Sequence, residues 1–314
     1  MAKKISIITP CFNEESNVEL LYEAVKDQFR QLGNKYSYEH IFIDNDSRDK
    51  TVPVLKTLAA RDRNVKIIVN NRNFGHIRSP YYGLLQSRGD AGLLMAADFQ
   101  DPPSMIRDFI QKWEEGYKAV IGVKTASEES RLMYFVRGLY YKLVCKLSDV
   151  ELNQNHTGFG LYDRVIIEHL LKLEDPYPYF RGIISELGFT AFQIQFKQPL
   201  RLRGVSANNF YSLYDNAMLG ITNHSKVPLR IATMAGFFMS AVSLLIALAY
   251  LAFKLLYWHT FEFGLAPILI SLFFFSSVQL FFIGMLGEYI GSIHTYVQHR
   301  PLVIEKERVN FDFF

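Results

Sequence analysis

Apolar positions in the first hundred residues come in short runs closed by polar ones. KISIITP, HIFID, VKIIV and AGLLMAAD, at 4–10, 40–44, 65–69 and 91–98, are β-rich or apolar and predict strands. Between them the apolar spacing lengthens to a helical period over Val18–Leu32, Thr51–Arg61 and Ser79–Ser87. Strands alternating with helices predict an α/β fold with a mostly parallel, covered sheet. Such sheets bind ligands beyond the carboxyl ends of their strands. Polar residues collect there: Asn13 and Glu14 after the first strand, Asp44 and Asp46 after the second, Asp98 after the fourth. One carboxylate at a strand end is ordinary, but three at equivalent ends predict a site. No GxGxxG or GxxxxGK[ST] occurs, so neither the dinucleotide nor the P-loop fingerprint applies.

The stretch LLMAADFQDPP, residues 93–103, carries the most chemistry. Asp101 is expected to cap the next helix, with Pro102 and Pro103 in its first turn. That helix carries a core stripe of Ile106, Phe109, Ile110 and Trp113. Asp98 and Gln100 alternate in a segment expected to be extended, which points both side chains the same way. Two oxygen ligands, completed by water and phosphate oxygens, suit Mg²⁺ or Mn²⁺.

The pattern changes near the C-terminus. Ile231–Phe253 and Phe263–Gly287 are 23 and 25 residues without a charge. About 20 apolar residues cross a bilayer core, so two membrane spans are expected. Lys226 and Arg230 precede the first, and Arg300, Lys306 and Arg308 follow the second. By the positive-inside rule both ends are cytoplasmic, and the N-terminal region is expected to be a cytosolic domain held against the membrane. The composition, 49% hydrophobic with 26 Phe and 18 Tyr, is heavy for a soluble protein. A net charge of +3 supplies no global basic field, which argues against nucleic acid as a partner. Cys11 and Cys145 make neither a disulfide framework nor a zinc spacing. MAKKISIITP has too short an apolar run for a signal peptide.

Basic residues near the bilayer would suit an anionic partner. In RLMYFVRGLYYKLVCKL, residues 131–147, Arg131, Lys142 and Lys146 fall within roughly 60° on a helical wheel. Interleaved aromatics suit an interfacial amphipathic helix, and a globular helix with a solvated basic edge is the alternative. Arg201 and Arg203 are further candidates for a phosphate clamp. SANNFYSLYDNAMLGI reads as a second interfacial helix. His76, in NRNFGHIRS, either faces a sugar or packs within its turn.

ITPCFNEE, FIDNDSRDKT, NRNFGH and AADFQDPP, in this order, resemble the family-two inverting glycosyltransferases. The resemblance is to the branch making polyprenyl-phosphate sugars, typified by dolichol-phosphate mannose synthases and bactoprenol glucosyltransferases. It continues through TGFGLYDR, YFRGIISELGF, RLRGVSANNFYSLYDNA, KVPLR, GEYIGS and HRP. It implies a GT-A (Rossmann-like) nucleotide-sugar domain over 1–200, interfacial linker helices over 201–229, two transmembrane helices over 230–293 and a cytosolic tail over 294–314. Pro10, Phe12, Asn13 and Glu14 would line the nucleotide pocket, with Asp44 and Asp46 toward the base or ribose. Asp98 and Gln100 would be catalytic, holding Mg²⁺ or Mn²⁺ on the donor diphosphate, and Arg131, Arg201 and Arg203 would hold the acceptor phosphate. The implied reaction is inverting transfer of glucose from UDP-glucose to undecaprenyl phosphate. Another donor, such as GDP-mannose, and a non-catalytic nucleotide-sugar binder stay open, as does homo-oligomerisation. Three positions depart from the pattern. Ala96 replaces the first acid of Asp-Ala-Asp, Asn45 replaces the second of an Asp pair, and Gly158 stands where many relatives have Asp.

Overall fold

A computed structural model of the chain describes residues 2–124, 156–199, 218–220, 222, 225–257 and 265–311. Eight strands form one sheet: β1 (Lys3–Cys11), β2 (Tyr36–Asp44), β3 (Val65–Asn70), β4 (Ala91–Leu94), β5 (Ala119–Lys124), β6 (His156–Asp163), β7 (Ala191–Phe196) and β8 (Glu305–Val309). Their order across the sheet is β7-β5-β6-β4-β1-β2-β3-β8. Four of the seven pairings are parallel, including the central run β4-β1-β2-β3. The helices are α1 (Val18–Leu32), α2 (Thr51–Arg61), α3 (Gly75–Leu85), α4 (Ile106–Glu114), α5 (Arg164–Leu173), α6 (Phe180–Glu186), α7 (Val227–Leu256) and α8 (Leu265–Val297).

The central strands are apolar on both faces because helices cover both. Ile5, Ile7 and Phe42 meet Val18, Leu21, Val25 and Phe29 of α1, while Ile8 packs with Tyr81 and Leu84 of α3. α3 lies close to the sheet because position 83 is glycine. A Cβ there would stand 2.9 Å from Ile8 Cγ2 and 3.1 Å from that of Ile43. The helix starts at Gly75, not at Ser79 as expected, which places Pro80 inside it. Proline favours a first turn, so the sequence misplaces the start; here Pro80 simply lacks the N–H that would bond the His76 carbonyl.

The fourth strand is also shorter than its apolar run. β4 ends at Leu94, and residues 97–100 form a turn in which Phe99 is left-handed at φ 61°. The expectation of an extended segment carrying Asp98 and Gln100 is therefore wrong.

α7 and α8 are long and apolar enough to cross a membrane. At 30 and 33 residues they exceed the roughly 20 needed. Neither is a core helix: Phe237 is 75% and Phe273 71% exposed. Apolar surface of this extent suits contact with lipid. Beyond α8 the chain returns to the sheet. β8 pairs antiparallel with β3, its Glu307 bonds Lys56 at 2.6 Å, and Asn310 donates to the carbonyls of Ala59 and Val65 at 2.8 and 2.9 Å. Phe311 is buried against Ile41, Ile43 and Ile68. Lys306 and Arg308 thus belong to an edge strand, and Arg308 pairs with Glu305. Arg131, Lys142, Lys146, Arg201 and Arg203 lie outside the described residues, as do both expected interfacial helices apart from 218–220.

Candidate functional site

The strand order reverses between β1 and β4, because β1–β2–β3 run outward one way and the chain then crosses back to β4. Such a switch point opens a crevice beyond the strand ends. Cys11 pairs in register with Asp44, and Ile8 with Leu94, so the segments leaving β2, β1 and β4 emerge side by side.

The loop after β1 is laced to the loop after β2. Asn13, left-handed at φ 57°, donates its N–H to Ser47 Oγ at 2.8 Å, and its Oδ1 accepts from the Arg48 N–H at 2.8 Å. The Glu14 N–H donates to Thr51 Oγ1 at 2.8 Å, and Glu15 exchanges bonds with Asp49 and Lys50. Glu14 accepts from the Asn17 side chain at 2.6 Å, and α1 begins after Asn17. Pro10 is half-buried, and Phe12 presents an aromatic face 40% exposed.

Asp44 is fully buried. One carboxylate oxygen accepts from the Ser47 N–H at 2.9 Å, and the other has no hydrogen-bond partner. Burial pushes this carboxyl upward against the bonds from Ser47 and the Asp46 backbone. A sealed acceptor left empty is costly unless a ligand fills it. Asp46, left-handed at φ 65°, lies half-buried beside it. Asn45 acts elsewhere: its amide donates to Asn73 Oδ1 and the Gly75 carbonyl, and accepts from Asn70 and the Phe74 N–H at 3.1 and 2.8 Å. A carboxylate could not donate either of the first two bonds, which accounts for asparagine where the family pattern has aspartate.

Asp98 is buried, and its Oδ1 accepts from the Gln100 N–H at 3.1 Å across the Phe99 turn. Asp101 does not cap the helix ahead. Its carboxylate folds back to the Ala96 N–H at 2.9 Å, and the following 3₁₀ turn, Pro103–Met105, has Pro102 at its cap position. A proline-led turn lacks the first N–H that a cap would bind. Burial, opposed by the Ala96 bond and aided by the Asp98 charge, raises the Asp101 carboxyl to about 7. Gly158 adopts φ 97°, a conformation an aspartate would hold under strain. His76 is exposed on the first turn of α3, so it does not pack within the turn as a core residue.

The rim is therefore acidic and rich in oxygen: Glu14, Asp44, Asp46, Asp49 and Asp98. Burial first, then Asp44, Glu14 and Asp49, pushes the Cys11 thiol well up, so Cys11 is no nucleophile. Among the described residues no three His, Cys, Asp or Glu side chains could together hold a metal. Asp98 and Gln100 nevertheless fit a hard cation that takes most of its shell from phosphate and water, as Mg²⁺ and Mn²⁺ do. Sequence reasoning missed the Asn45 hub and the backward bond of Asp101, both of which depend on contacts distant in the chain.

The chain thus joins an open α/β sheet with an acidic switch-point rim to two membrane-length helices. Residues 6–171 match the model of glycosyl transferase family 2, and the chain belongs to that family, with the GT-A fold. The uncharacterized glycosyltransferase YkcC of Bacillus subtilis is 32% identical, over 95% of this chain and 92% of its own. The bactoprenol glucosyl transferase of Shigella phage SfV is 33% identical, over 96% and 98%. Glucosyl-3-phosphoglycerate synthase from Mycobacterium tuberculosis, a solved structure, is 16% identical over 70% of this chain and 78% of that one, with a TM-score of 0.47.

Proposed function

We propose that this glycosyltransferase moves a sugar from a nucleotide donor to a polyprenyl phosphate at the cytosolic face of a membrane, with inversion. The donor we assign is UDP-glucose and the acceptor undecaprenyl phosphate. The observation that carries this is full-length similarity to a bactoprenol glucosyl transferase, covering the membrane helices as well as the catalytic domain. The site is consistent with it residue by residue. The unpartnered oxygen of Asp44 would accept from a base N–H or a ribose hydroxyl, with Pro10 and Phe12 offering an apolar wall and Asn13 and Glu14 the rim. Asp98 and Gln100 would hold a divalent ion, which supplies charge neutralisation on the departing nucleoside diphosphate.

A protein base is dispensable. A phosphate monoester has a second pKa of about 6, so the acceptor is already an anionic nucleophile at neutral pH. What the chain must do is hold acceptor and donor in line and exclude water. Gly158 in place of a carboxylate is compatible with that chemistry. The sequence-derived clamp of Arg131, Arg201 and Arg203 would face the acceptor phosphate.

Purified protein should move label from UDP-glucose into undecaprenyl phosphate with Mg²⁺ or Mn²⁺ and stop with EDTA. Transfer only from another nucleotide sugar would reassign the donor. Nucleotide binding without transfer from any donor would reduce the chain to a binder. Asp44→Ala is expected to raise the donor KM about tenfold or more, the scale of one buried hydrogen bond to a charged group. The acceptor KM should stay constant; an unchanged donor KM would remove Asp44 from the nucleotide pocket.

A further inference from the structure

Three arginines meet where the end of α8 reaches the connection between β3 and α3. Arg72 and Arg78 flank the start of α3, and Arg300 lies three residues beyond α8. Arg78 is half-buried, its guanidinium 5.0 Å above the Tyr177 ring, and its Nε is sealed from solvent with no hydrogen-bond partner. Burial depresses the Arg78 pKa; Tyr177 opposes this, and Arg72 and Arg300 push it further down. Among the described residues no carboxylate pairs with any of the three. Several other cations of this domain are paired: Lys66 with Glu39, Lys118 with Asp163, Arg308 with Glu305. Like charges gathered round a sealed donor are unfavourable until an anion joins them.

An independent feature lies alongside. A cavity of about 320 Å³ opens against the last turns of α8, lined by Thr222, Tyr289, Ser292, Ile293, Tyr296 and Val297. Tyr296 also donates its hydroxyl to Asp175 at 3.2 Å, and Asp175 is two residues from the Tyr177 that carries Arg78. Tyr296 on the cavity wall is thus tied to the segment whose Tyr177 carries Arg78. The cavity flanks the end of a membrane-length helix. The loop between Arg72 and Arg78 is anchored at the switch point, because Asn45 at the end of β2 bonds Asn73 and Gly75.

We propose that Arg72, Arg78 and Arg300 receive the terminal phosphate of the isoprenoid lipid, while the α8 cavity takes the first part of its chain. This rests on a polyprenyl phosphate being the acceptor. It adds a docking position at the membrane end of the domain, made of residues outside the expected Arg131, Arg201 and Arg203 clamp. Guanidinium groups suit this task because they bind phosphate in paired hydrogen bonds and stay charged.

The test uses the full chain in phosphatidylcholine nanodiscs, with decaprenyl monophosphate as probe and decaprenol and phosphatidylglycerol as comparisons. Arg78→Gln should raise the KM for decaprenyl monophosphate about tenfold or more, the scale of a lost charge-assisted bond. The nucleotide-sugar KM should stay within about twofold. Arg300 is exposed, so Arg300→Gln leaves the fold intact and should shift the same constant the same way by a smaller factor. Arg78→Lys should recover part of the loss. Unchanged acceptor KM in both glutamine variants, or an equal rise in donor KM, overturns the site while transfer by the wild type stands. Competition by phosphatidylglycerol as strong as by the lipid monophosphate would make it a general anionic-lipid contact and overturn the acceptor assignment. Absence of both binding and use of decaprenyl monophosphate by the wild type would overturn the proposed function, and this inference with it.

Discussion

Asp98→Ala is expected to lower sugar transfer roughly a hundred- to a thousandfold, the range seen when one group stabilising transition-state charge is removed. The fold should survive. Asp98 is only 4% exposed, and the turn contact its carboxylate makes to the Gln100 N–H is worth about 1 kcal/mol. Its removal also relieves repulsion on Asp101, whose carboxyl is raised in part by the Asp98 charge. The two effects oppose, so melting temperature should change little. The decisive reading is kcat against metal concentration, beside thermal unfolding of the same preparation. A loss that excess Mn²⁺ partly restores would support ligation. Turnover near wild type, with intact folding, would remove Asp98 from the reaction.

Glu39→Gln should do the opposite, leaving the chemistry of each folded molecule alone and destabilising the domain. Glu39 is 1% exposed on β2, and its carboxylate receives Lys4 Nζ at 2.7 Å, Lys66 Nζ at 2.8 Å, Ser6 Oγ at 2.6 Å and the Arg88 N–H at 2.9 Å. Burial alone would raise its pKa, but these bonds outweigh it and hold the group at about 2. Glutamine keeps the shape and loses the charge, stranding Lys66, which is 8% exposed. Breaking a buried pair in this way costs about 3–5 kcal/mol. The sign with pH follows from the depressed pKa. The stabilisation is complete above the unfolded value of about 4.3 and is lost as pH falls through about 2. Denaturation at pH 7 and pH 3 should show a large gap between wild type and variant at pH 7 and a smaller one at pH 3. An equal gap at both would show that charge is not the cause.

What could be read from the residues divides by distance along the chain. β1, β2 and β3 were legible because central strands of a covered sheet are nearly continuous apolar runs. α1 and α2 were legible from their periodicity. β4 was overextended because Met95, Ala96 and Ala97 look like strand and Met95 and Ala97 are buried, yet the turn through Phe99 is set by the Asp98 bond and by the Asp101 carboxylate reaching back to Ala96. β8 was hidden because EKERV is mostly charged, as an edge strand with one solvated face is. At the site, residue types and their positions at strand ends were visible in advance. The empty oxygen of Asp44 was not, since it depends on how neighbouring loops seal it. Nor was Arg78 singled out, because its company arrives from residue 300.

The position of β8 sets a timetable for biosynthesis. β3 is made early, but its outer edge is closed by residues that leave the ribosome only after α7 and α8. At about 5–20 residues per second, translation of residues 71–304 keeps that edge unpaired for roughly ten to fifty seconds. The transferase domain therefore completes its sheet only once the segment that enters the bilayer has been synthesised, and a nascent chain stalled before that point carries an open strand to which other proteins can bind.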